Sequence, residues 1–449
     1  MEKKAYFCIP NHAFIKRRIM QMKRTLHKNK YTLRHTANGW RMGQILRAAT
    51  FVLVFLLSTP SALQAQLVPL HRSVGIPLYL DLDRIYNYNQ YEKSRWGFGL
   101  RYGYVAGDID MMPKPAGFFD RLSVGAYFGY GYADQRVKWG ADAYFWTNLR
   151  RQGKVYAAYF HDLTPEATRT MNTYNLINFN ASGSFMNRLF SDTRRLTAGY
   201  STRTRGHETL GLELRLSDEH KLHDLANIYY PQTDADWDAL EHTRFAEARL
   251  FFEHDLGLRG ELTAGYTTGE WWVDTGYFLR LLLQYDQVFP VGRMLNFQVY
   301  AQGGLTSNGA PFSRLFNLGG TSGSAILFER SLLTARVDEF FANCFVLTCL
   351  RFGFSRPLFT YKSQLLQVGL APRPFVLLDA AWGEMEEFPN AGPNKGIAEV
   401  GAGIDGIMRW GQVDWGLAVA YRLTPEDAYY HLPESRDNVT IVLTASLAM

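Results

Sequence analysis

Residues able to do acid–base chemistry are thinly scattered along this chain. His161 stands beside Asp162, His207 beside Glu208, and His220 shortly before Asp224, while Ser182-Gly183-Ser184 offers two hydroxyls. A serine activated by a nearby histidine could hydrolyse an acyl ester. Neighbours on a strand point to opposite faces, however, which separates His161 from Asp162 and His207 from Glu208 if those pairs lie in strands. No His or Cys spacing of a metal site and no phosphate-cradling loop occurs, so no cofactor is expected. The stronger signal is a set of charges on the parity opposite the apolar residues: Lys138, Asp142, Glu213, Arg215, Glu247, Arg249, Glu253, Arg351, Asp405, Asp414 and Arg422. Such charges can simply be solvated and pair across strands, each exposed pair contributing ~0–1 kcal/mol. Alternatively they line a lumen or hold a loop inside one. Both signs are mixed, so no strong ion selectivity is expected.

The elements that must position these charges are strands of period two. Leu210, Leu212, Leu214 and Leu216 alternate with Gly211, Glu213, Arg215 and Ser217, and Leu295, Phe297, Val299 and Ala301 alternate with Asn296, Gln298, Tyr300 and Gln302. Val413, Trp415, Leu417, Val419, Tyr421 and Leu423 alternate with Asp414, Gly416, Ala418, Ala420 and Arg422. Leu122 to Tyr132 and Val137 to Phe145 repeat the pattern across Asp134-Gln135-Arg136, which predicts a hairpin. Aromatics gather toward the segment ends on the apolar parity, at Tyr130, Tyr132, Phe145, Trp415 and Tyr421. Segments of about ten residues exceed the ~5–6 usual in soluble sheets, and the aromatic ends suit a membrane barrel with apolar residues facing lipid. Aromatics at 15% with a mean hydropathy of only −0.20 fit a chain whose strands are half of each kind.

The formal net charge of +6 is misleading. Residues 1–65 hold twelve Lys and Arg against Glu2 alone, and removing them leaves 36 basic and 41 acidic residues, a charge of −5. The basic total therefore does not point to nucleic acid. Arg41 and Arg47, the apolar run Ala48 to Leu57 and the small residues up to Ala65 have the order of a secretory leader, with a run too short to span a bilayer as a helix. Cleavage is expected near Ala65, and Met20, Met22 and Met42 are each candidate starts. The expected organisation is a leader at 1–65, a short periplasmic lead-in at 66–77 and a transmembrane barrel at 78–449. Cys8 lies in the leader, while Cys344 and Cys349 fall on opposite parities and predict no disulfide.

The 384 residues after Ala65, at about 24 per strand with its connection, predict an all-β antiparallel barrel of about sixteen strands. A direct tally finds about seventeen candidates, with Leu78 to Asn89 and Thr164 to Leu189 the doubtful ones. Ser217 to Thr243 reads as a solvated external loop. Thr306 to Leu327 carries Pro311, Gly319, Gly320 and Gly323 among Phe312, Leu315, Phe316, Leu318 and Ile326, and a loop that apolar is expected to fold into the lumen.

The order of several motifs resembles a family of outer-membrane barrels often found behind a carboxypeptidase-like regulatory domain. These are Tyr86-Asn-Tyr-Asn89 with Gly97 and Gly99, Asn308-Gly-Ala-Pro-Phe-Ser-Arg-Leu-Phe-Asn-Leu-Gly-Gly320, Phe328, Arg336-Val-Asp-Glu-Phe340, Asn343, Ala381-Trp-Gly383 and Glu399-Val-Gly-Ala-Gly403. That family is distantly similar to the bacterial surface-antigen barrels, which insert or translocate proteins and carry an Arg on an in-folded loop after a Gly-Gly element. Here Thr321-Ser-Gly-Ser324 follows Gly319-Gly320, and Arg314 lies on the other side. The resemblance implies a protein-assembly or translocation barrel, here expected to lack periplasmic domains because about a dozen residues separate Ala65 from the first strand. A passive or gated pore for small solutes and an outer-membrane lipid hydrolase are the alternatives. Expected partners are outer-membrane lipid, the barrel-assembly machinery during biogenesis, and protein or small-solute cargo.

Asn438 to Met449 alternates to the chain end and is expected to close the barrel against the segment near Leu78, with Leu443, Leu447 and Met449 as insertion signal. Deleting Leu447 to Met449 should leave the protein in the periplasm, whereas Met449→Phe should keep its outer-membrane yield. Cell fractionation checks both, and normal outer-membrane yield of the truncation would remove this reading of the C-terminal strand.

Overall fold

Alternating apolar and polar residues cannot form a folded unit alone, because each strand must pair its backbone on both sides and hide one face. In a computed structural model the strands solve this by one continuous antiparallel sheet. The structure describes residues 67–447 apart from 72–76, 82–85, 90–91, 166–168, 170–189, 206–207, 222–241, 269–275, 308–309, 319–325, 328–331, 336–340, 363–367, 385–394, 411–412 and 425–438. Sixteen staves follow in chain order. They are β1 (Leu78–Asp81, resuming at Tyr86–Asn89), β2 (Lys93–Tyr102), β3 (Leu122–Gly131), β4 (Val137–Asn148), β5 (Gly153–Pro165), β6 (Phe190–Arg203), β7 (Glu208–Lys221) and β8 (His242–His254). Then come β9 (Leu258–Thr268), β10 (Tyr277–Val291), β11 (Leu295–Thr306), β12 (Cys344–Phe354), β13 (Arg373–Glu384), β14 (Lys395–Trp410), β15 (Val413–Arg422) and β16 (Val439–Leu447). Each pairs antiparallel with the next, from Asn89↔Lys93 to Val419↔Ile441.

The two faces differ in kind. Leu214 and Leu216 are each 57% exposed, while Glu213, Glu247 and Arg249 on the opposite parity are 4%, 6% and 1% exposed. Apolar side chains meet across neighbouring staves in outward rows, as in Tyr200, Leu212, Leu250, Leu262 and Leu281. A water-soluble surface does not carry an apolar belt of this extent, whereas a lipid-facing wall does. Among the described residues no helix is long and apolar enough to cross a membrane.

The connections are asymmetric. One mouth carries 166–189, 222–241, 307–343 and 423–438, and the other carries 149–152, 204–207, 255–257, 292–294 and 411–412, with 103–121 and 355–372 as its two longer links. In that second mouth Tyr104, Ile109 and Met112 pack on the inward-facing Tyr144, Trp146 and Tyr156. The Tyr144 hydroxyl and the Trp146 indole both donate to the Tyr104 carbonyl, at 3.1 and 3.0 Å.

Several sequence expectations change. Ser217 to Thr243, expected as a loop, is strand at both ends, because β7 continues to Lys221 and β8 begins at His242, with His220 facing His242 in the ladder, while 222–241 lie outside the described residues. The lead-in at 66–77 contains a strand, Leu67–His71, paired with Leu78–Asp81. Trp415 stands on the outward parity but is buried there; the register of β14 on β15 slips between Ile404 and Met408, and Met408 pairs opposite Trp415. Of Leu78 to Asn89, Leu78–Asp81 and Tyr86–Asn89 are strand against β2 and 82–85 lie outside the described residues, and of Thr164 to Leu189 only Thr164, Pro165 and Arg169 are described. Cys344 and Cys349 are free thiols on opposite faces.

Among the described residues no ladder joins β16 to β1. The free edge of β1 is taken by Leu67–His71 and that of β16 by Ile326–Leu327, which pairs with it in parallel. Val439 and Ile441 face outward; Leu443 and Leu447 are placed by backbone pairing to Leu417 and Val413, and Met449 lies outside the described residues.

Tight turns at the short-link mouth depend on glycine. Gly257 has φ +78°, and a Cβ there would lie 1.8 Å from the Asp286 carbonyl oxygen. Gly257→Ala should therefore destabilise the barrel by about 1–3 kcal/mol, seen as a lower unfolding temperature in a heat-modifiability gel.

Candidate functional site

The link from β11 to β12 turns back into the sheet's polar face. Pro311 opens a single 3-10 turn at Phe312–Arg314, closed by the Arg314 amide donating to the Pro311 carbonyl at 2.8 Å. Phe316–Asn317 then pairs antiparallel with Phe341–Ala342, so the loop carries its own two-stranded ribbon. Phe316 is fully buried against Phe345 of β12, ring centroids 4.7 Å apart. Gly304 of β11 makes room for it, since a Cβ there would stand 2.6 Å from the Phe316 ring. Leu318, Leu332 and Ala335 join Leu282, Leu347 and Ile397 of the wall in one apolar cluster, and Leu333 packs with Phe375, Leu377, Ala418 and Ala420.

Arg314 is the loop's ionic anchor. It donates from two nitrogens to Glu219 of β7, at 3.1 and 2.8 Å, and from Nε to Glu247 of β8 at 2.7 Å, with its guanidinium 3.8 Å from the Phe245 ring centroid. Burial works against the charge, but the two carboxylates outweigh it and hold the guanidinium pKa above its ordinary value. The Arg314 carbonyl accepts from Arg280 Nε at 3.1 Å, and Arg280 also donates to Glu261 at 3.2 Å. Arg249 reaches Glu261 at 2.6 Å, Arg215 pairs with Glu213, and Tyr156 donates to Glu213 at 3.0 Å. Arg195 adds a further bond to Glu219 at 3.2 Å. This planar, two-pronged grip on a carboxylate is one that arginine makes and lysine does not.

The second anchor lies on β14. Glu399, fully buried, accepts from the amides of Leu333 and Thr334 at 2.6 and 2.8 Å and from the Thr334 hydroxyl at 2.6 Å. A third contact comes from Arg169, whose Nε donates to the Asn317 carbonyl at 2.6 Å while its NH1 reaches Gln302 at 3.2 Å. One loop thus touches β7, β8 and β10 on one side and β13, β14 and β15 on the other.

Several other inward charges are also paired. Arg101 grips Asp142 at 2.6 Å; Arg95 joins Glu92 and Asp162, at 2.8 and 2.5 Å; Lys138 pairs with Asp134 at 2.6 Å; and Arg351 pairs with Asp405. Arg422 is buried on the same face. Glu253 is half-buried and bonded to Arg259 at 2.8 Å. The Asp414 side chain, Gly319, Gly320, Gly323, Arg336, Ser182, Ser184 and His207 lie outside the described residues. His161 and Asp162 do point to opposite faces. Asp162 is inward, while His161 meets Asp192 at 2.9 Å, and Arg136 also holds Asp192 at 3.1 Å.

Sequence reading missed Glu219, Glu261, Arg280 and the role of Glu399. The signal for Glu219 was available: the alternation through Glu213, Arg215 and Ser217 continues two residues further. Glu399 shares its parity with Asp405, so inward placement was readable. Its partner was not, since amides 66 and 65 positions away supply the bonds.

No protein-family model matches the sequence, and no curated protein matches it. Solved structures with a similar course include CdiB from Escherichia coli, at 12% identity and a TM-score of 0.44, covering 83% of this chain and 62% of that one. BamA from Haemophilus ducreyi lacking POTRA domains 1–3 aligns at 11% identity and 0.45, covering 79% and 67%. CdiB from Acinetobacter baumannii aligns at 10% and 0.40, covering 76% and 56%. This chain spans less than two thirds of either CdiB chain.

Arg314→Met should leave Glu219 and Glu247 buried without their main cation and cost about 3–5 kcal/mol of barrel stability. Adding Glu219→Gln and Glu247→Gln should recover most of that loss. Denaturant midpoints of the refolded barrels in detergent check both.

Proposed function

We propose that this chain is an outer-membrane barrel of the protein assembly or translocation kind, held shut at rest by the loop 307–343. The observation that carries the reading is the double anchorage of that loop, by Arg314 to β7 and β8 and by Glu399 to Leu333 and Thr334. A plug pinned to opposite walls blocks the lumen, and each pin is a discrete contact that a conformational change can release. Cargo passage then follows release of the loop. The short-link mouth faces the periplasm and the long links face outward, as in membrane barrels generally. The leader ending near Ala65 supplies export, and outer-membrane lipid surrounds the apolar wall.

A gated pore for small solutes is the second reading, favoured by lumen charges of both signs and by the room that about sixteen staves enclose. Planar-bilayer recording separates an obstructed from an open barrel. The full chain should show small, flickering currents, and deletion of residues 308–324 should open a large, steady one. Arg314→Met with Glu399→Gln should raise the open probability without removing the loop. A large, steady current in the full chain, unchanged by the deletion, would overturn the plugged reading.

A further inference from the structure

The outer wall carries a dent near the short-link mouth. It is a groove of about 670 Å³ crossing β11 to β15, lined by outward side chains including Phe352, Val376, Ile404, Leu417 and Val419. Its cause is local: Val376, Ala402 and Val419 lie in one cross-strand row, and Ala402 lowers the floor between two larger neighbours. Below it the chain bulges, where Gly406 has φ +70° and its carbonyl accepts from the Ala371 amide at 2.8 Å, so that Ile407 forms a rim. The volume falls within the ~300–1,000 Å³ of small-molecule sites.

The mouth beside this groove is basic. Link 292–294 contains Arg293 and link 355–372 contains Arg356 and Lys362, and neither link contains an Asp or Glu. The Ser355 amide donates to the Met294 carbonyl at 2.8 Å, which binds the two links together just below Leu295 and Phe354 of the groove. Arg293 and Arg356 are exposed, and no carboxylate pairs with either among the described residues. Met294, Leu358, Phe359 and Tyr361 are exposed in the same links, an apolar and aromatic collar of the kind that interfacial belts carry.

We propose that this groove is a binding site for one anionic phospholipid of the periplasmic leaflet, its acyl chain along Ala402 and its phosphate between Arg293 and Arg356. The groove continues the lipid-facing wall, which commits it to an acyl chain, and basic residues without acids select a negative headgroup. The site rests on the membrane placement proposed above and is independent of the cargo.

Native mass spectrometry of the full-length barrel in detergent, titrated with phosphatidylglycerol or phosphatidylcholine, tests this. The wild type should retain phosphatidylglycerol preferentially. Arg293→Gln with Arg356→Gln should weaken that preference about fivefold per arginine removed. Ala402→Trp, which fills the groove, should lower retention of both lipids. The matched control Arg150→Gln with Arg151→Gln, on another link of the same mouth, should leave retention unchanged. Equal retention of the two lipids by the wild type, or equal loss in the control pair, would overturn the site, as would displacement of the lipid by inorganic phosphate, which would indicate a free-anion site. Should Ala402→Trp fail to fold, the arginine pair still decides. Failure of the wild type to enter vesicles would instead overturn the membrane placement, leaving the two failures distinguishable.

Discussion

The structure depends on one constraint: strands that cross an apolar medium must satisfy every backbone group through a neighbouring strand. Pairing in one antiparallel sheet does so, and it leaves side chains only two directions to take. Apolar residues go outward along the middle of the staves, so most of the charge there is driven inward. Arg95, Arg101, Lys138, Arg249 and Arg280 accordingly sit within bonding distance of Glu92, Asp142, Asp134 and Glu261. An interior of this kind must neutralise itself, because an uncompensated buried charge costs several kcal/mol.

That interior also explains why a mostly apolar loop can occupy it. The loop's two anchors use different chemistry. Arg314 brings a cation to Glu219 and Glu247, which would otherwise crowd negative charge between β7 and β8. Glu399 works the other way, a wall carboxylate that satisfies two loop amides and a hydroxyl that burial would leave without partners. Between them Phe316, Leu318 and Leu332 cover Leu282, Leu347 and Ile397, inward positions where a water-filled channel would carry polar residues. Wall and loop are therefore complementary where they meet, with inward apolar wall residues lying under the loop's own apolar side chains.

The seam shows the same constraint at the sheet's margins. An unpaired strand edge invites pairing by any available chain. Leu67–His71 covers the edge of β1 and Ile326–Leu327 lies along β16, so a segment preceding the barrel and a segment of the lumen loop each supply backbone partners there. The loop thereby connects the lumen anchors to the last stave.

Much of this was legible in the residues themselves. The period of two is a local property, and it determined the stave pattern, the outward leucines of β7 and the inward placement of Asp142, Glu213, Arg215, Glu247, Arg249, Asp405 and Arg422. Composition of the 306–327 stretch was enough to expect an in-folded loop, because Phe312, Leu315 and Phe316 have no place in a solvated link. Tertiary structure alone decided which charges meet. Glu219 continues the alternation of β7 inside a segment whose polarity resembled a loop, and the ladders to β6 and β8 are what carry β7 on to Lys221. Trp415 keeps the outward parity of Leu417 and Val419 yet is buried beside the register slip of the neighbouring stave, and burial of that kind has no period to reveal it. The clamp of Arg314 joins residues 95 and 67 positions apart, and such a contact follows from how a sixteen-stave sheet curls around its own loop. Alternation along the strand specifies which way a side chain points; what it meets there is set by curvature and register, which are properties of the whole sheet.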